Sequence, residues 1–410
     1  MEEYRTYTLE ELSIGKGNYG IAASAVPFDS SLHTYLRITD INDDGTLNKP
    51  GLMSVDEDDA EKYLLKPNDI VFARTGNSTG RSYFYDGSDG ELVYAGFLIK
   101  FSLDSTKVNP RILKYYTHSK PYYDWVQSFG TGSTRGNINA KTYGNMPIKL
   151  PPRDTQDNIV AILKSLDDKI EVNRRINENL EQQAQALFKP WFVDFEPFKN
   201  QPFVESELGM IPQGWRVESL SSIADYVNGL AMQKYRPEDG EEGLPVLKIK
   251  ELGQGNIDDS SELCSPSVIG EKYIINDGDI IFSWSGTLMV KVWCGGKCGL
   301  NQHLFVVNPK DYPKWLVYHW TKYHLDNFIR IAKDKAVTMG HIKRGELDKA
   351  KTIIPDKENM QKIDALIKPI FEQIIANELE SRRLAELRDT LLPRLMSGEL
   401  KVNDLENNEI

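Results

Sequence analysis

The sequence predicts a mixed α/β (α+β) protein with two pseudo-repeated globular domains, separated by two long helices that form an antiparallel coiled coil. Three observations predict this architecture. The chain has 410 residues, which is too long for one ordinary core. Short β-type motifs recur in the same order in the two halves of the chain. An apolar heptad pattern also occurs twice, once behind each set of motifs.

Four ordered anchors define the repeat. Residues 69–76 (DIVFARTG) match residues 279–286 (DIIFSWSG), a shift of 210 from position 69 to position 279. Two further anchors are residues 36–38 with 247–249, and Thr134, Gly136 and Ile138 with Thr338, Gly340 and Ile342. The fourth anchor is the heptad pattern. Together they predict two copies of one unit of about 200 residues.

Each copy opens with short β-type runs, such as residues 35–38 and 69–72 in the first copy and residues 304–307 in the second. A short helical stretch is expected at residues 111–125 and at residues 314–331, each preceded by a proline that suits a helix start. Proline then ends each globular part. We expect four segments, namely a globular domain at 1–152, a long helix with an aromatic cap at 153–200, a second globular domain at 201–355, and a long helix with a tail at 356–410.

The heptad seam begins after the prolines that end each globular part, and its positions are spaced alternately by four and three residues. Its first copy comprises Ile159, Leu163, Leu166, Ile170, Asn173, Asn177, Leu180, Ala184 and Leu187. Its second copy, displaced by 204 residues (from 159 to 363), comprises Ile363, Ile367, Ile370, Ile374, Asn377, Ser381, Leu384, Arg388 and Leu391. This pattern predicts a coiled coil, and pseudo-symmetry favours antiparallel pairing. Asn173 and Asn377 either fix its register as buried polar residues or face solvent.

Composition excludes several classes of protein. No stretch has the roughly 18 apolar residues of a membrane span, and the acidic start is no secretory signal. Cys264, Cys294 and Cys298 are too few for a disulfide framework, which favours a reducing cytoplasm. The net charge of −11 argues against a simple DNA-binding module. Two segments, residues 111–149 and 330–344, are nevertheless locally basic and can contact phosphates.

Two similar globular units on a stiff rod suit a ligand with two similar sites at a fixed separation. A helix of about 33 residues is about 50 Å long. Duplex DNA offers sites about 34 Å apart for each helical turn. Because the two units differ in sequence, they would contact two different half-sequences rather than a palindrome.

Several segments together resemble the specificity subunits of type I restriction-modification systems. They are DIVFARTGNSTGR at 69–81, GSTRGNI at 132–138, the Leu-Pro-Pro stop at 150–152, LFKPWFVDF at 187–195, LGMIP at 208–212, FSWSG at 282–286, LNQHLF at 300–305 and LLPRLMSG at 391–398. The resemblance covers nearly the whole chain. Each motif alone is weak, but their order and duplication are specific.

The resemblance implies two target-recognition domains joined by antiparallel helices, each domain contacting one half of a bipartite, asymmetric double-stranded DNA sequence. The helices would dock two adenine-methyltransferase subunits, and restriction subunits would join that complex. S-adenosylmethionine, ATP and Mg would then belong to the partner subunits. This chain would be cytoplasmic and non-catalytic and would carry no cofactor.

Candidate DNA contacts lie in the loop after each central strand and in a second polar segment of each copy. In the first copy they are Arg74, Thr75, Asn77, Ser78 and Arg81, with Arg135, Asn137 and Lys141. In the second they are Ser283, Ser285 and Lys291, with Lys335, Thr338, His341 and Lys343. Arginine and asparagine suit bidentate contacts with guanine and adenine. The alternative is ordinary solvated turns, with Trp284 in the core.

Four aromatic residues after the first seam, Phe188, Trp191, Phe192 and Phe195, are candidates for partner docking. Core packing at the end of the helix is the other interpretation. For residues 301–303 (NQH), a structural role at a strand edge is favoured over catalysis. A zinc site would need Cys294, Cys298, Cys264 and His303 together, and we expect no metal.

No catalytic motif is present. The one Pro-Pro pair, at 151–152, lacks the flanking residues of an adenine-methyltransferase loop, and there is no phosphate-binding GxxxxGK[ST] loop. Two other functions stay open. The chain could be an enzyme in its own right, or a coiled-coil adaptor that tethers two proteins without contacting DNA.

Overall fold

The computed structural model describes residues 4–129, 136–258, 260–334 and 340–402. Its internal contacts divide the chain into unit 1, residues 1–167 with 386–410, and unit 2, residues 168–385. Each unit contains one globular repeat and a part of both long helices. Among the helices of these residues, none combines the length and the apolar character needed to cross a bilayer. The four-segment division made from the sequence stays a prediction.

In the described part of unit 1 there are nine strands and three short α-helices. The strands are β1 (Arg5–Thr8), β2 (Asn18–Tyr19), β3 (His33–Leu36), β4 (Met53–Val55), β5 (Asp69–Ala73), β6 (Ser82–Tyr85), β7 (Leu92–Tyr94), β8 (Leu98–Ser102) and β9 (Pro147–Leu150). The helices are α1 (Pro110–Tyr116), α2 (Lys120–Gln127) and α3 (Ala140–Gly144). The single helix expected at 111–125 is therefore two helices, because Pro121 has no N–H to bond to the carbonyl of Thr117.

The strands of unit 1 form a four-stranded sheet in the order β2-β8-β5-β6 and a three-stranded sheet in the order β4-β3-β7, and β1 pairs with β9. All five residues of β5 are buried. Its one charged residue, Asp69, accepts hydrogen bonds from Ser102 Oγ at 2.6 Å and the backbone N–H of Lys66 at 2.8 Å. Because β5 is central in its sheet and buried, close packing fixes its position and so fixes where the loop that follows it begins.

Both long helices of the chain are continuous, α4 over Arg153–Phe192 and α10 over Lys357–Ser397.

Unit 2 contains the strands β10 (Phe203–Ser206), β11 (Gly209–Pro212), β12 (Arg216–Ser219), β13 (Ala224–Asn228), β14 (Leu244–Leu247), β15 (Leu263–Cys264), β16 (Ile274–Ile275), β17 (Ile280–Ser283), β18 (Met289–Val292), β19 (Cys298–Leu300), β20 (Leu304–Pro309) and β21 (Lys351–Ile354). Its short helices are α5 (Leu220–Ile223), α6 (Ile249–Gln254), α7 (Lys314–Tyr323), α8 (Leu325–Asp334) and α9 (Gly345–Lys349). The stretch expected at 314–331 is likewise two helices, which meet at His324.

The predicted repeat is confirmed by the topology of unit 2. Its central sheet has the order β13-β20-β17-β18, which matches β2-β8-β5-β6 strand for strand. In the second sheet β14 pairs antiparallel with β15 and parallel with β19, as β3 pairs with β4 and β7. The pair β12–β21 corresponds to β1–β9. Unit 2 adds the hairpin β10–β11, which follows α4.

The antiparallel pairing of the long helices is confirmed within each unit. In unit 2, Asn173 Nδ2 lies 3.3 Å from Ser381 Oγ, while Asn177 Nδ2 lies 3.2 Å from the carbonyl of Ile374. A later residue of α4 thus meets an earlier residue of α10. In unit 1, Ile159 and Leu163 of α4 share a core with Leu391, Leu392 and Leu395 of α10.

The asparagines of the seam are buried and hydrogen bonded to each other's helix. Asn377 Nδ2 donates to Asn177 Oδ1 at 2.8 Å, and Gln373 Nε2 donates to Asn377 Oδ1 at 2.7 Å. Asn173 Nδ2 donates to Glu380 Oε2 at 2.7 Å. Of the two alternatives left open by the sequence, burial or exposure to solvent, the structure shows burial for both Asn173 and Asn377. Their role in fixing register stays a prediction.

Candidate nucleic-acid interface

In unit 1 the loop that follows β5 is held at both ends. The N–H of Gly80 donates to the carbonyl of Ala73 at 3.0 Å. Two buried tyrosines of the helical layer bond to the same residues: Tyr143 donates to the Ala73 carbonyl at 2.9 Å and Tyr122 to the Gly80 carbonyl at 2.6 Å. Burial raises the pKa of both phenols, so they stay protonated donors. The loop is therefore a fixed platform for its outward side chains.

The structure brings together the two segments that the sequence predicted separately in the first copy. The N–H of Ile138 donates to the carbonyl of Arg74 at 3.0 Å. Thr79 Oγ1 donates to the carbonyl of Gly136 at 3.0 Å. Exposed Asn137 and exposed Lys141, at the start of α3, therefore lie on the same surface as the loop.

Arg74 belongs to this loop and is half-buried. Its guanidinium carbon is 5.0 Å from the centroid of the Tyr19 ring, a cation–π distance. Tyr19 is held in turn, because its hydroxyl accepts a hydrogen bond from the N–H of Ala140 at 3.1 Å. Tyr19 is contributed by β2, and the sequence prediction did not include it.

The remaining predicted residues of the first copy differ in accessibility. Asn77 is exposed and Thr75 half-buried, whereas Ser78 is buried. Arg81 has protein partners, since its Nε donates to Asp43 Oδ1 at 2.6 Å and its Nη1 to the carbonyl of Ile41 at 3.1 Å. Arg135 lies outside the described residues.

In unit 2 the residue at the position of Arg74 is Trp284. Its indole Nε1 donates to Asn228 Oδ1 at 2.9 Å, and its ring lies 6.2 Å from that of His303 and 6.3 Å from that of His341. The N–H of Ile342 donates to the carbonyl of Trp284 at 3.1 Å, as Ile138 donates to Arg74. Trp284 is half-buried and packs on the edge of the core.

The other predicted residues of the second copy differ in burial and in position. Ser283 and Ser285 are buried. Lys291 lines a cavity of about 410 Å³ next to the long helices, and its Nζ donates to the carbonyl of Gly253 at 2.7 Å. Burial lowers the pKa of Lys291. Lys343 is exposed beside His341. Two more predicted contacts, Lys335 and Thr338, lie outside the described residues.

Both clusters have the same backbone framework. The N–H of Arg74 donates to the carbonyl of Phe97 at 3.1 Å, and that of Trp284 to the carbonyl of His303 at 3.4 Å. Tyr19 and Asn228 precede Gly20 and Gly229, where a Cβ would come within 2.2 Å of a backbone carbonyl oxygen.

Four equivalent positions thus hold Tyr19, Arg74, Phe97 and Asn137 in unit 1, and Asn228, Trp284, His303 and His341 in unit 2. The prediction included only Arg74, Asn137 and His341 among these eight, and it set His303 aside as structural. The two sets differ strongly in chemistry, because Arg74 of unit 1 is a cation whereas its equivalent in unit 2, Trp284, has a neutral aromatic ring.

The aromatic candidates for partner docking lie in unit 2. Phe188, Phe192 and Phe195 are buried in its core, and Trp191 is partly exposed. Phe192 lies 6.1 Å from both Trp215 and Trp315, ring to ring. Core packing therefore accounts for three of the four positions, while a docking role for the set stays a prediction. Within the described residues no group of His, Cys, Asp and Glu is arranged to hold a metal ion.

Comparisons with known proteins agree with the duplicated organisation. The family model for the type I restriction modification DNA specificity domain matches residues 3–182 and again residues 212–389. The MjaIX specificity subunit of Methanocaldococcus jannaschii, a type I restriction enzyme subunit, is 30% identical over 305 residues, covering 72% of this chain and 69% of the relative. The HindI specificity subunit of Haemophilus influenzae is 24% identical over 407 residues, covering 83% and 88%. A crystal structure of a type I S subunit from M. genitalium has 14% identity and a TM-score of 0.49 over 96% of each chain.

Proposed function

Because the chain belongs to the type I restriction modification DNA specificity family, we propose that it reads a bipartite, asymmetric DNA target for a methyltransferase and endonuclease complex. The observation that carries this proposal is the pair of clusters on one backbone framework. Equivalent positions hold a guanidinium in one repeat and an indole in the other. Equivalent frameworks with different side chains suit two different half-sequences.

Each repeat contacts one half of the target through its cluster. In unit 1, Arg74 and Asn137 offer donors and acceptors that match guanine and adenine edges in the major groove. In unit 2, Trp284, His303 and His341 offer aromatic faces and ring nitrogens. Lys141 and Lys343 are exposed cations beside the two clusters, suited to phosphate contacts that position the chain without selecting sequence.

The chain acts without catalysis of its own, in the cytoplasm, as part of a larger complex. Two adenine-methyltransferase subunits dock on the long helices and on the aromatic segment that includes Trp191, and restriction subunits join them. S-adenosylmethionine, ATP and Mg²⁺ enter the complex through those partners. The net charge of −11 is consistent with such a division, since much of the phosphate contact then falls to partner subunits.

The test is to map methylated adenines genome-wide in cells with and without this gene while the neighbouring methyltransferase is expressed. We expect deletion to abolish methylation at one asymmetric motif made of two halves with a fixed gap. An unchanged pattern, with the methyltransferase shown to be active, contradicts the proposal.

Two alternatives make different predictions. If the chain is an adaptor without DNA contacts, its assembly with methyltransferase subunits should bind duplexes with no sequence preference beyond that of the methyltransferase alone. If it is an enzyme, the purified chain should methylate or cleave DNA without any partner. Gel-shift and methyl-transfer assays on the chain, the methyltransferase and their complex separate these outcomes.

A further inference from the structure

On the premise of the function proposed above, we propose that Arg74 contacts one guanine in the half-sequence recognised by the first repeat, and that Tyr19 positions its guanidinium for this contact. Within the described loop, Arg74 alone combines a fixed backbone, an aromatic support and a guanidinium for which the described residues offer no hydrogen-bond acceptor.

The backbone of Arg74 is fixed on both sides. Its N–H donates to the carbonyl of Phe97 at 3.1 Å, and its carbonyl accepts from the N–H of Ile138 at 3.0 Å. These bonds anchor it to the start of β8 and to the segment before α3. The hydroxyl of Tyr143 holds the preceding residue, Ala73. The backbone of Arg74, and with it the start of its side chain, therefore has a fixed position.

The guanidinium plane is restrained as well. Tyr19 lies 5.0 Å from the guanidinium carbon and is anchored through its hydroxyl to the N–H of Ala140. An arginine stacked on a ring has already lost much of its side-chain freedom, so less conformational entropy is lost when a ligand binds.

Arg74 has no acceptor for its charge among the residues that the structure describes. Its Nε is buried and has no hydrogen-bond partner there. Other arginines of unit 1 are paired: Arg37 with Asp40 at 2.6 Å, Arg81 with Asp43 at 2.6 Å and Arg111 with Asp86 at 2.9 Å. A partly buried cation without such a partner is stabilised when a ligand supplies acceptors.

A guanine edge fits these surroundings better than a phosphate. Guanine presents O6 and N7 side by side, and they accept two parallel N–H bonds from one guanidinium. Phe97, whose carbonyl bonds to Arg74, is 58% exposed, and an exposed phenyl ring suits contact with a base rather than with a phosphate. Asn137, beside Ile138, adds an amide suited to a neighbouring base edge.

The second repeat provides an internal comparison. Trp284 occupies the position of Arg74, and its donor is already bonded to Asn228. An arginine contact at this position is therefore a property of the first repeat, and substitutions at Arg74 should alter one half of the target only.

The experiment uses the full chain in complex with its methyltransferase subunits and a randomised duplex library, in which methylated molecules are sequenced. We expect R74Q to lower the preference for guanine at one position of one half-sequence by about 5- to 150-fold, the range of one bidentate contact. The other half should be recognised as before, which also reports that the variant folds. K141Q, the matched control for a phosphate contact, should weaken all sequences equally.

A second arm uses the chemistry of the DNA. Replacing that guanine by 7-deazaguanine, which lacks the N7 acceptor, should weaken the wild-type complex but have little further effect on R74Q. The proposal is overturned if R74Q keeps the guanine preference, or if it weakens all sequences by one common factor, as the loss of a phosphate contact would. A wild-type complex with no sequence preference at all refutes the proposed function instead.

Discussion

Replacing Asp167 by asparagine should destabilise unit 1 selectively. Asp167 is 14% exposed and accepts hydrogen bonds from Lys114 Nζ at 2.6 Å, Tyr115 Oη at 3.0 Å and Arg388 Nη1 at 2.9 Å. It thereby ties α4 to α1 and to α10. Burial alone would raise the pKa of Asp167, but the ammonium of Lys114 and the guanidinium of Arg388 outweigh burial and lower it.

The expected loss follows from the burial of the three groups. Breaking a buried ion pair costs roughly 3–5 kcal/mol, because a charge is left without its partner. Lys114 and Arg388 are 31% and 25% exposed, so water offsets part of that cost. We therefore expect D167N to lower the free energy of unfolding of unit 1 by about 2–4 kcal/mol. That is a large share of the roughly 5–15 kcal/mol typical of a domain.

Hydrogen exchange measured by mass spectrometry reports each unit separately. Peptides from α1 and from residues 153–167 should exchange about 30- to 900-fold faster in D167N, and those of unit 2 should be unchanged. The control is D389N. Asp389 contacts the same Arg388 at 2.9 Å but is 64% exposed, so its loss should cost less than about 1 kcal/mol. Equal effects of D167N and D389N, or an equal change in both units, would refute the reasoning.

Two further predictions concern unit 2. N177L and N377L should each cost about 1–3 kcal/mol, since each leaves one polar atom of the other buried amide without its partner, while the double variant should cost clearly less than their sum. A double-mutant cycle in urea measures this coupling, and strict additivity would contradict a shared hydrogen bond. Burial lowers the pKa of His319 to about 4, so the unfolded state takes up the proton first as the pH falls below about 6.5. Unit 2 should therefore lose about 2–3 kcal/mol between pH 7 and pH 4.5, and H319Q should lack this loss. An identical pH dependence in H319Q would show that other groups cause it.

The repeat and the helix seam could be predicted because they depend on local order and periodicity. An apolar residue every three or four positions predicts one buried face, and every seam position from Ile159 to Leu187 is buried or half-buried in the structure. In the short helical stretches of the globular parts, the breaks at Thr117 and His324 could not be predicted in this way. Apolar residues continue across both positions, although one helix ends there and another begins.

The clusters were only partly predictable because they depend on contacts between residues far apart in sequence. Arg74 and Asn137 belong to polar loops and could be proposed. Tyr19 could not, since it reaches Arg74 only through the pairing of β2 with β8. The pairing of Arg81 with Asp43 was equally unforeseeable, because 38 residues separate them. One signal was available: aligning Gly20 with Gly229 places Tyr19 and Asn228 at equivalent positions.

The discontinuity of unit 1 has a consequence for how the chain folds during synthesis. Unit 2 is one contiguous stretch, residues 168–385, and can close its core as soon as it leaves the ribosome. Unit 1 also needs Leu391, Leu392 and Leu395 against Ile159 and Leu163. At 5–20 residues per second, translation of the intervening stretch takes about 10–40 seconds. During that interval the apolar core of unit 1 lacks the residues that α10 contributes to it. Unit 1 is therefore synthesised first but completes its folding last.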